Sequence, residues 1–411
     1  MATLPSSSNR KEVLYISYDG ILEPLGQSQV LAYLEKLAQI GWKINLISYE
    51  KRIDWCNKSH KLEVSLLIKR SGISWYPLRY HKKLPLLSTL YDVIRGFFLA
   101  LWLSKQRPIG IIHVRSYVAA IIGLLLKRLK GLKLIFDMRG FWPDERIECG
   151  LWNRDSFVYL LAKNFERRFL LSSDIIVSLT NAGVQAMKEF SFLQKSQVRF
   201  EIVPTCTDMG RFRPVSDETR DGSEFVLGYV GSASNWYLFE PVLTFYRSLL
   251  QLRPNATLLI LNRNEHKYIR NLLLQHQVDD SRVLVVSAPF EQVPNYMSRM
   301  SAGVFFIKPV FSKKASSPTK LGEFLSCGVP CVSNTGVGDV QEIVEENRVG
   351  ILLRDLSTRS CDRAAADLIN VVADLSTSAR CVNTARKYFS LDIGVKAYDR
   401  MYRSIDGESS C

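Results

Sequence analysis

The chain has 411 residues, too many for one ordinary domain, so two domains of roughly 200 residues each are expected. A hydrophobic fraction of 47% against 23% charged residues excludes a disordered chain. The net charge of +14 calls for an anionic partner: nucleic acid, an acidic membrane surface or a phosphorylated substrate.

Residues 1–11 read as a polar tail, without the apolar core of a signal peptide. The eight cysteines form no C-x-x-C pair and no Cys/His cluster at metal-ligand spacing, which points to a reduced, cytosolic chain. Residues 13–18 form the first expected strand, and Asp19-Gly20-Ile-Leu-Glu-Pro-Leu-Gly26 is a loop at its carboxyl end. Val30, Leu31, Leu34, Leu37 and Ala38 then recur at helical spacing, Gly41 ends that helix, and residues 43–49 return as a strand. This βαβ opening is Rossmann-like, but its loop is not G-x-G-x-x-G, which argues against NAD or FAD.

In residues 69–83, Lys69, Arg70, Arg79, Lys82 and Lys83 alternate with Trp75, Tyr76, Tyr80 and His81. That texture suits an anionic interface, or equally a surface loop with its rings folded inward. Residues 92–105 read as a core helix. No apolar run reaches the roughly 20 residues a spanning helix needs, so the protein is expected to lie on a membrane at most.

Residues 109–114 and 132–136 are strands joined by a helix over 118–130. Their carboxyl ends carry His113 and Arg115, then Asp137, Arg139, Asp144 and Glu145. Open α/β sheets bind ligands at such ends. His113 alone also fits a satisfied core histidine, and Asp137 with Arg139 also fits a structural ion pair; as site residues these two are the catalytic candidates. A helix over 152–171 and strands over 174–178 and 200–204 complete the first half, and residues 204–221 read as a linker.

The second half restarts with a strand over 225–230 and the phosphate-sized turn Gly231-Ser232-Ala233-Ser234. Strands are expected over 256–261, 283–286 and 303–307. Ser317-Pro318 then reads as N-cap and first helical residue, with a helix over 319–327 stopped by Gly328. Its N–H groups, its dipole and Lys320 in the first turn favour an anion, and Glu323 on the same face can accept bonds from sugar hydroxyls. The turn Asn334-Thr-Gly336-Val-Gly338 closes the same place, and Asp339 with Glu342 reads as a capping box. Donors for phosphate plus one carboxylate suit a nucleoside diphosphate. Residues 385–403 read as one helix.

The stretch Pro318-Thr-Lys-Leu-Gly-Glu-Phe-Leu-Ser-Cys-Gly-Val-Pro330 resembles the nucleotide-sugar motif of the family 4 glycosyltransferases, and residues 19–30 resemble the N-terminal signature of a bacterial subgroup. The resemblance implies the GT-B fold: two Rossmann-like domains facing each other across a cleft, an acceptor-side domain over 1–213, a nucleotide-sugar domain over 222–384, and a C-terminal helix from 385 crossing back to the first. It implies that Glu323 holds ribose hydroxyls. Gly20 and Gly26 would lie under the donor with Gly231, Ser232, Ser317, Lys320, Gly336 and Gly338. Asp19, His113, Arg115, Asp144 and Glu145, with Asp137 and Arg139, would face the acceptor.

Two departures stand out. Many members carry a second glutamate where this chain has Ala315, and an arginine and a lysine after the glycine at 231, where residues 232–237 supply neither. Lys308, Lys313 or Lys320 would then face the diphosphate. The function implied is transfer of a sugar, with retention, from a nucleoside-diphosphate sugar to a glycan or lipid-linked acceptor in polysaccharide synthesis. No Asp-x-Asp motif appears, so no metal or other cofactor is expected. The chain would sit in the cytoplasm, peripheral to the cell membrane, with residues 69–83 and Lys127, Arg128 and Lys130 as a cationic face. The alternatives are a GT-B nucleotide-sugar epimerase and a basic nucleic-acid-binding protein. No recognisable RNA or DNA module supports the latter, so nucleic acid is not an expected partner.

Overall fold

The computed structural model describes residues 11–83, 85–214 and 224–407. Most of the expected tail and the latter part of the expected linker, 215–221, lie outside the described residues.

Seven strands form the first sheet: β1 (Glu12–Ser17), β2 (Ile44–Glu50), β3 (Ser74–Arg79), β4 (Ile109–Arg115), β5 (Lys133–Asp137), β6 (Ile175–Ser178) and β7 (Arg199–Ile202). Their order is β3-β2-β1-β4-β5-β6-β7, with every pairing parallel. The second sheet holds β8 (Val226–Val230), β9 (Thr257–Leu261), β10 (Val283–Val286), β11 (Ala302–Val304), β12 (Cys331–Asn334) and β13 (Gly350–Leu353), ordered β10-β9-β8-β11-β12-β13 and again parallel. Parallel strands need helical crossovers that cover both faces, which is why β1, β2 and β4 are buried along their whole length. Phe305 and Phe306 show the two faces directly: as consecutive residues after β11 they enter separate cores, Phe305 with Phe324 and Phe306 with Tyr229 and Phe245. Each sheet reverses direction beside its first strand, between β1 and β4 and between β8 and β11. Such switch points are where doubly wound sheets bind ligands.

The chain divides into two compact units. The first runs to Leu179 and takes in Gly183–Val203 and everything from Leu391 on; the second holds Thr180–Ala182 and Pro204–Ser390. The sequence reading placed the divisions at 213 and 385. The single helix expected over 385–403 is two, Thr377–Tyr388 in the second unit and Leu391–Asp406 in the first. The break falls where Thr207 N–H bonds the Phe389 carbonyl at 2.7 Å and pairs with Ser390. From Leu391 the helix lies on the first unit, where Asp399 accepts from Trp42 Nε1 at 2.8 Å and Asp392 pairs with Lys36 at 2.5 Å.

Residues 69–83 are not a free loop. Lys69 and Arg70 end the helix Lys58–Arg70, and β3 follows as the sheet edge, where Pro77 is tolerated. Trp75 Nε1 bonds Ser48 Oγ at 2.8 Å and Tyr80 packs on Tyr18, so the rings fold inward while Lys69, Arg70, Arg79, Lys82 and Lys83 stay exposed. The apolar helix expected as core runs Pro85–Gln106, and only one side of it is core. Among the described residues, Leu86–Gln106 is long and apolar enough to cross a membrane.

Candidate active site

In the second unit the site is built at the carboxyl ends of β8, β11 and β12. The helix Thr319–Ser326 forms where expected, and Gly328 ends it at φ +72. Its start differs. Pro318 itself occupies the N-cap, and Ser317 is not the capping residue, because its hydroxyl and carbonyl are engaged by Thr205 (3.0 and 2.7 Å). Lys320 is buried, and its Nζ makes no hydrogen bond; it lies 3.7 Å from the centre of the Tyr237 ring and 5.0 Å from that of Tyr229. A buried ammonium without an anion is costly, so burial pushes its pKa down to about 7, against the pull of Glu323 and Glu265. Glu323, one turn on and half-buried, is pushed up to about 7 by desolvation, with Lys320 pulling it down. Gly231 turns at φ +101, and a Cβ there would stand 3.4 Å from Lys320 Nζ. The glycine thus leaves open the space over the ammonium.

The neighbouring polar groups are already committed. Ser232 Oγ (3.0 Å) and Ala233 N–H (2.8 Å) donate to Glu265, as do the Ser234 hydroxyl and Asn262 Nδ2 (2.8 Å). Despite its desolvation, these bonds hold the Glu265 carboxyl below its usual range. Lys313 is buried with Nζ 3.7 Å from the Trp236 ring centre, and Lys308 is exposed. Gly336 (φ +83) and Gly338 (φ +45) let the turn fold against the loop before the helix: a Cβ on Gly338 would lie 2.1 Å from the Ser316 carbonyl oxygen. Gly338 N–H is spent on Lys313 O at 2.8 Å. The expected capping box is absent. Asp339 caps its own helix only through the backbone, and its carboxylate accepts from the N–H groups of Asn181 (2.7 Å) and Ala182 (2.9 Å).

In the first unit, β1, β4 and β5 bring Asp19, His113, Arg115, Asp137 and Arg139 together. Asp137 is fully buried; its Oδ2 accepts from Tyr398 Oη at 3.0 Å and lies 3.6 Å from Arg115 Nη1, and its Oδ1 lies 3.8 Å from Arg139 Nη1. Arg115 Nε pairs with the half-exposed Asp19 at 3.4 Å. His113 Nδ1 bonds Tyr402 Oη at 2.7 Å, and its Nε2 stands 4.0 Å from Asp137. Burial pushes this imidazole down to about 4, with Asp137 opposing. Three buried atoms here, His113 Nε2, Arg115 Nη1 and Asp137 Oδ1, make no hydrogen bond. Ser116 and Arg139, which turn the chain after β4 and β5, are left-handed at φ +68 and +62, a strain of about 1–3 kcal/mol each.

Asp144 is held elsewhere, by Lys163 Nζ and Tyr159 Oη at 3.0 Å each, and Glu145 is half-buried on the same short helix, Trp142–Glu148. Gly20 and Gly26 meet backbone to backbone: a Cβ on Gly26 would fall 1.9 Å from the Gly20 carbonyl oxygen. Glu50 then fills the loop, accepting from Ile21 N–H (2.9 Å), Leu22 N–H (3.1 Å) and Ser48 Oγ (2.6 Å). Sequence reasoning missed Glu50, although an acidic residue ending β2 beside a glycine loop was a signal. It also missed Tyr237, Glu265, Tyr398 and Tyr402; the last two stand four apart on one helix face.

Residues 215–388 match the family described as "Glycosyl transferases group 1", which covers most of the second unit. No curated protein sequence matches the chain. Among solved structures, the chain resembles sucrose-phosphate synthase from Thermosynechococcus elongatus at 15% identity and a TM-score of 0.72, covering 97% of this chain and 100% of that one. A glycosyltransferase from Rickettsia africae is similar at 12% identity and TM-score 0.71 (98% and 100% covered). HepE from Anabaena, solved with UDP and glucose, is similar at 15% and 0.66 (96% and 100%). The fold is GT-B, and residues 215–388 of the second unit resemble a group 1 glycosyltransferase domain.

Proposed function

We propose that this glycosyltransferase moves a sugar from a nucleoside-diphosphate sugar to a glycan or lipid-linked acceptor, with retention of configuration and without a metal. The observation that carries the donor half is Lys320: a buried ammonium with no hydrogen-bond acceptor, at a switch point of the sheet, under a glycine that leaves room for a ligand. A diphosphate supplies the missing acceptors and the opposite charge, and the lysine then stabilises it as it leaves. Glu323 takes the ribose hydroxyls. Because HepE is described in complex with UDP-glucose, uridine diphosphate is the first probe.

On the acceptor side the supporting feature is the set of unbonded polar atoms on His113, Arg115 and Asp137. A hydroxyl can donate to Asp137 Oδ1 and accept from Arg115. The exposed cations of residues 69–83 favour an acceptor carried on an acidic surface, which would keep the enzyme peripheral to the membrane from the cytoplasmic side. Calorimetric titration tests the donor half. Wild type should bind uridine, guanosine or adenosine diphosphate, and Lys320→Met should lose that binding while staying folded; binding unchanged by the substitution removes Lys320 from the site. The anomeric configuration of the product, read by NMR, tests retention.

A further inference from the structure

The helix Pro85–Gln106 has two apolar sides, and only one has a partner. Val93, Gly96, Ala100 and Leu103 face inward; a Cβ on Gly96 would meet Tyr49 Oη at 1.9 Å and Ile122 Cδ1 at 2.8 Å. Asp92 lies on that side too, accepting from Tyr18 Oη at 3.0 Å and paired with His81 Nδ1 at 2.6 Å. On the opposite side Leu87, Leu90, Tyr91, Ile94, Phe98 and Trp102 are each 46–63% exposed. Their spacing of three and four puts them in one stripe about four turns long. Single exposed apolar residues are ordinary; a continuous stripe is not.

The helix packs beside Ser116–Lys130, which packs beside Phe157–Ser172, so the three form one layer. Leu129 and Phe157, 62% and 76% exposed, carry the apolar surface onto both neighbours. Charge decides what covers it. The three helices hold eight lysines and arginines and two acidic residues, Asp92 and Glu166, both buried. A second copy of the chain on a two-fold axis would set these cations against themselves. An anionic bilayer is complementary both to the stripe and to its cationic margins.

We infer that this layer docks the first unit on an anionic lipid surface, with the stripe of Pro85–Gln106 lying in the head-group boundary. Tyr91 and Trp102 suit that depth, having apolar rings with one polar atom each. The helix lies on the surface and does not span it, because its inward side is committed to Tyr49 and Ile122. The inference deepens the membrane part of the proposed function by moving the contact from residues 69–83 to this layer. It does not depend on sugar transfer, since binding is read with no substrate present.

The test floats the full chain with vesicles of phosphatidylcholine, with and without phosphatidylglycerol, at low and high salt. Wild type should float with the acidic vesicles, and part of that binding should survive high salt. Phe98→Ser with Trp102→Ser should lower the partition coefficient at least about tenfold, with an unchanged or higher melting temperature, since both side chains are exposed. Lys82→Gln with Lys83→Gln should retain most binding. If the stripe variant floats like wild type while the lysine variant does not, the stripe is wrong and the membrane reading survives. If wild type never floats, both fall. A concentration-dependent dimer abolished by the stripe variant would hand the surface to a second copy.

Discussion

At the residue scale, Lys320 and Glu323 make nucleotide binding and stability depend on pH in predictable directions. Folding lowers the lysine pKa, so between about 7 and its unfolded value the unfolded chain holds more protons, and stability rises with pH there. The glutamate pKa is raised, so stability falls as pH rises from its unfolded value towards 7. Lys320→Met, which removes a buried charge, should therefore raise the melting temperature by a few degrees at pH 6 and by less at pH 9, while abolishing diphosphate binding. A melting temperature lowered at both pH values would show the ammonium to be satisfied in the native state. His113 follows the same sign as Lys320, in the first unit and at lower pH. It is neutral when folded, so stability should drop as pH falls from about 6.5 towards 4, where only the unfolded imidazole is protonated. Circular-dichroism melts across that range check it, and a His113→Gln variant should flatten the dependence. Asp137 separates two roles by choice of substitution. Asp137→Ala removes the buried partner of Arg115 and leaves it only the half-exposed Asp19, which should cost about 3–5 kcal/mol, whereas Asp137→Asn should keep the fold and still lose transfer. Normal transfer by the asparagine variant would reduce this carboxylate to a structural ion.

At the element scale, the helix Leu391–Asp406 finishes the first unit by supplying the Tyr398 and Tyr402 hydroxyls to Asp137 and His113. Tyr398→Phe strands the buried Oδ2 of Asp137 with one bond fewer and should cost about 1–3 kcal/mol. Hydrogen exchange should register the loss in β4 and β5 and leave β8 to β13 unmoved; uniform loosening would argue that the helix supports the whole chain. The elements also show what the sequence could tell. The helix Thr319–Ser326 was legible because proline, a lysine in the first turn and a terminal glycine all mark it locally. Its cap was not, because the hydroxyl of Ser317 is claimed by Thr205, 112 residues away. The strand β3 was hidden by Pro77 and by charges that an edge strand can carry. The outer face of Pro85–Gln106 was hidden for a different reason: a helix apolar all round reads as buried, and only the tertiary structure shows which side lacks cover. The pairing of Glu50 with the Gly20 loop and of Tyr398 with Asp137 joins residues 28 to 261 apart, beyond any local pattern.

At the scale of the whole molecule, a bound nucleoside diphosphate should be felt in one unit. Hydrogen exchange with uridine diphosphate present should slow the amides of residues 231–234 and 316–323, and slowing confined to β1, β4 and β5 would relocate the nucleotide to the first unit. The order in which the units come into being is set by the path of the chain between them. All the residues of the second unit have been synthesised once Ser390 has been added, but the first unit still lacks Leu391–Asp406. Between Val203 and Leu391 lie about 190 residues, roughly 10–40 s of elongation. Throughout that interval the nascent first half carries Asp137 and His113 without their tyrosines. The half made first is therefore the half finished last: until Tyr398 and Tyr402 are added, Asp137 and His113 lack their hydroxyl partners.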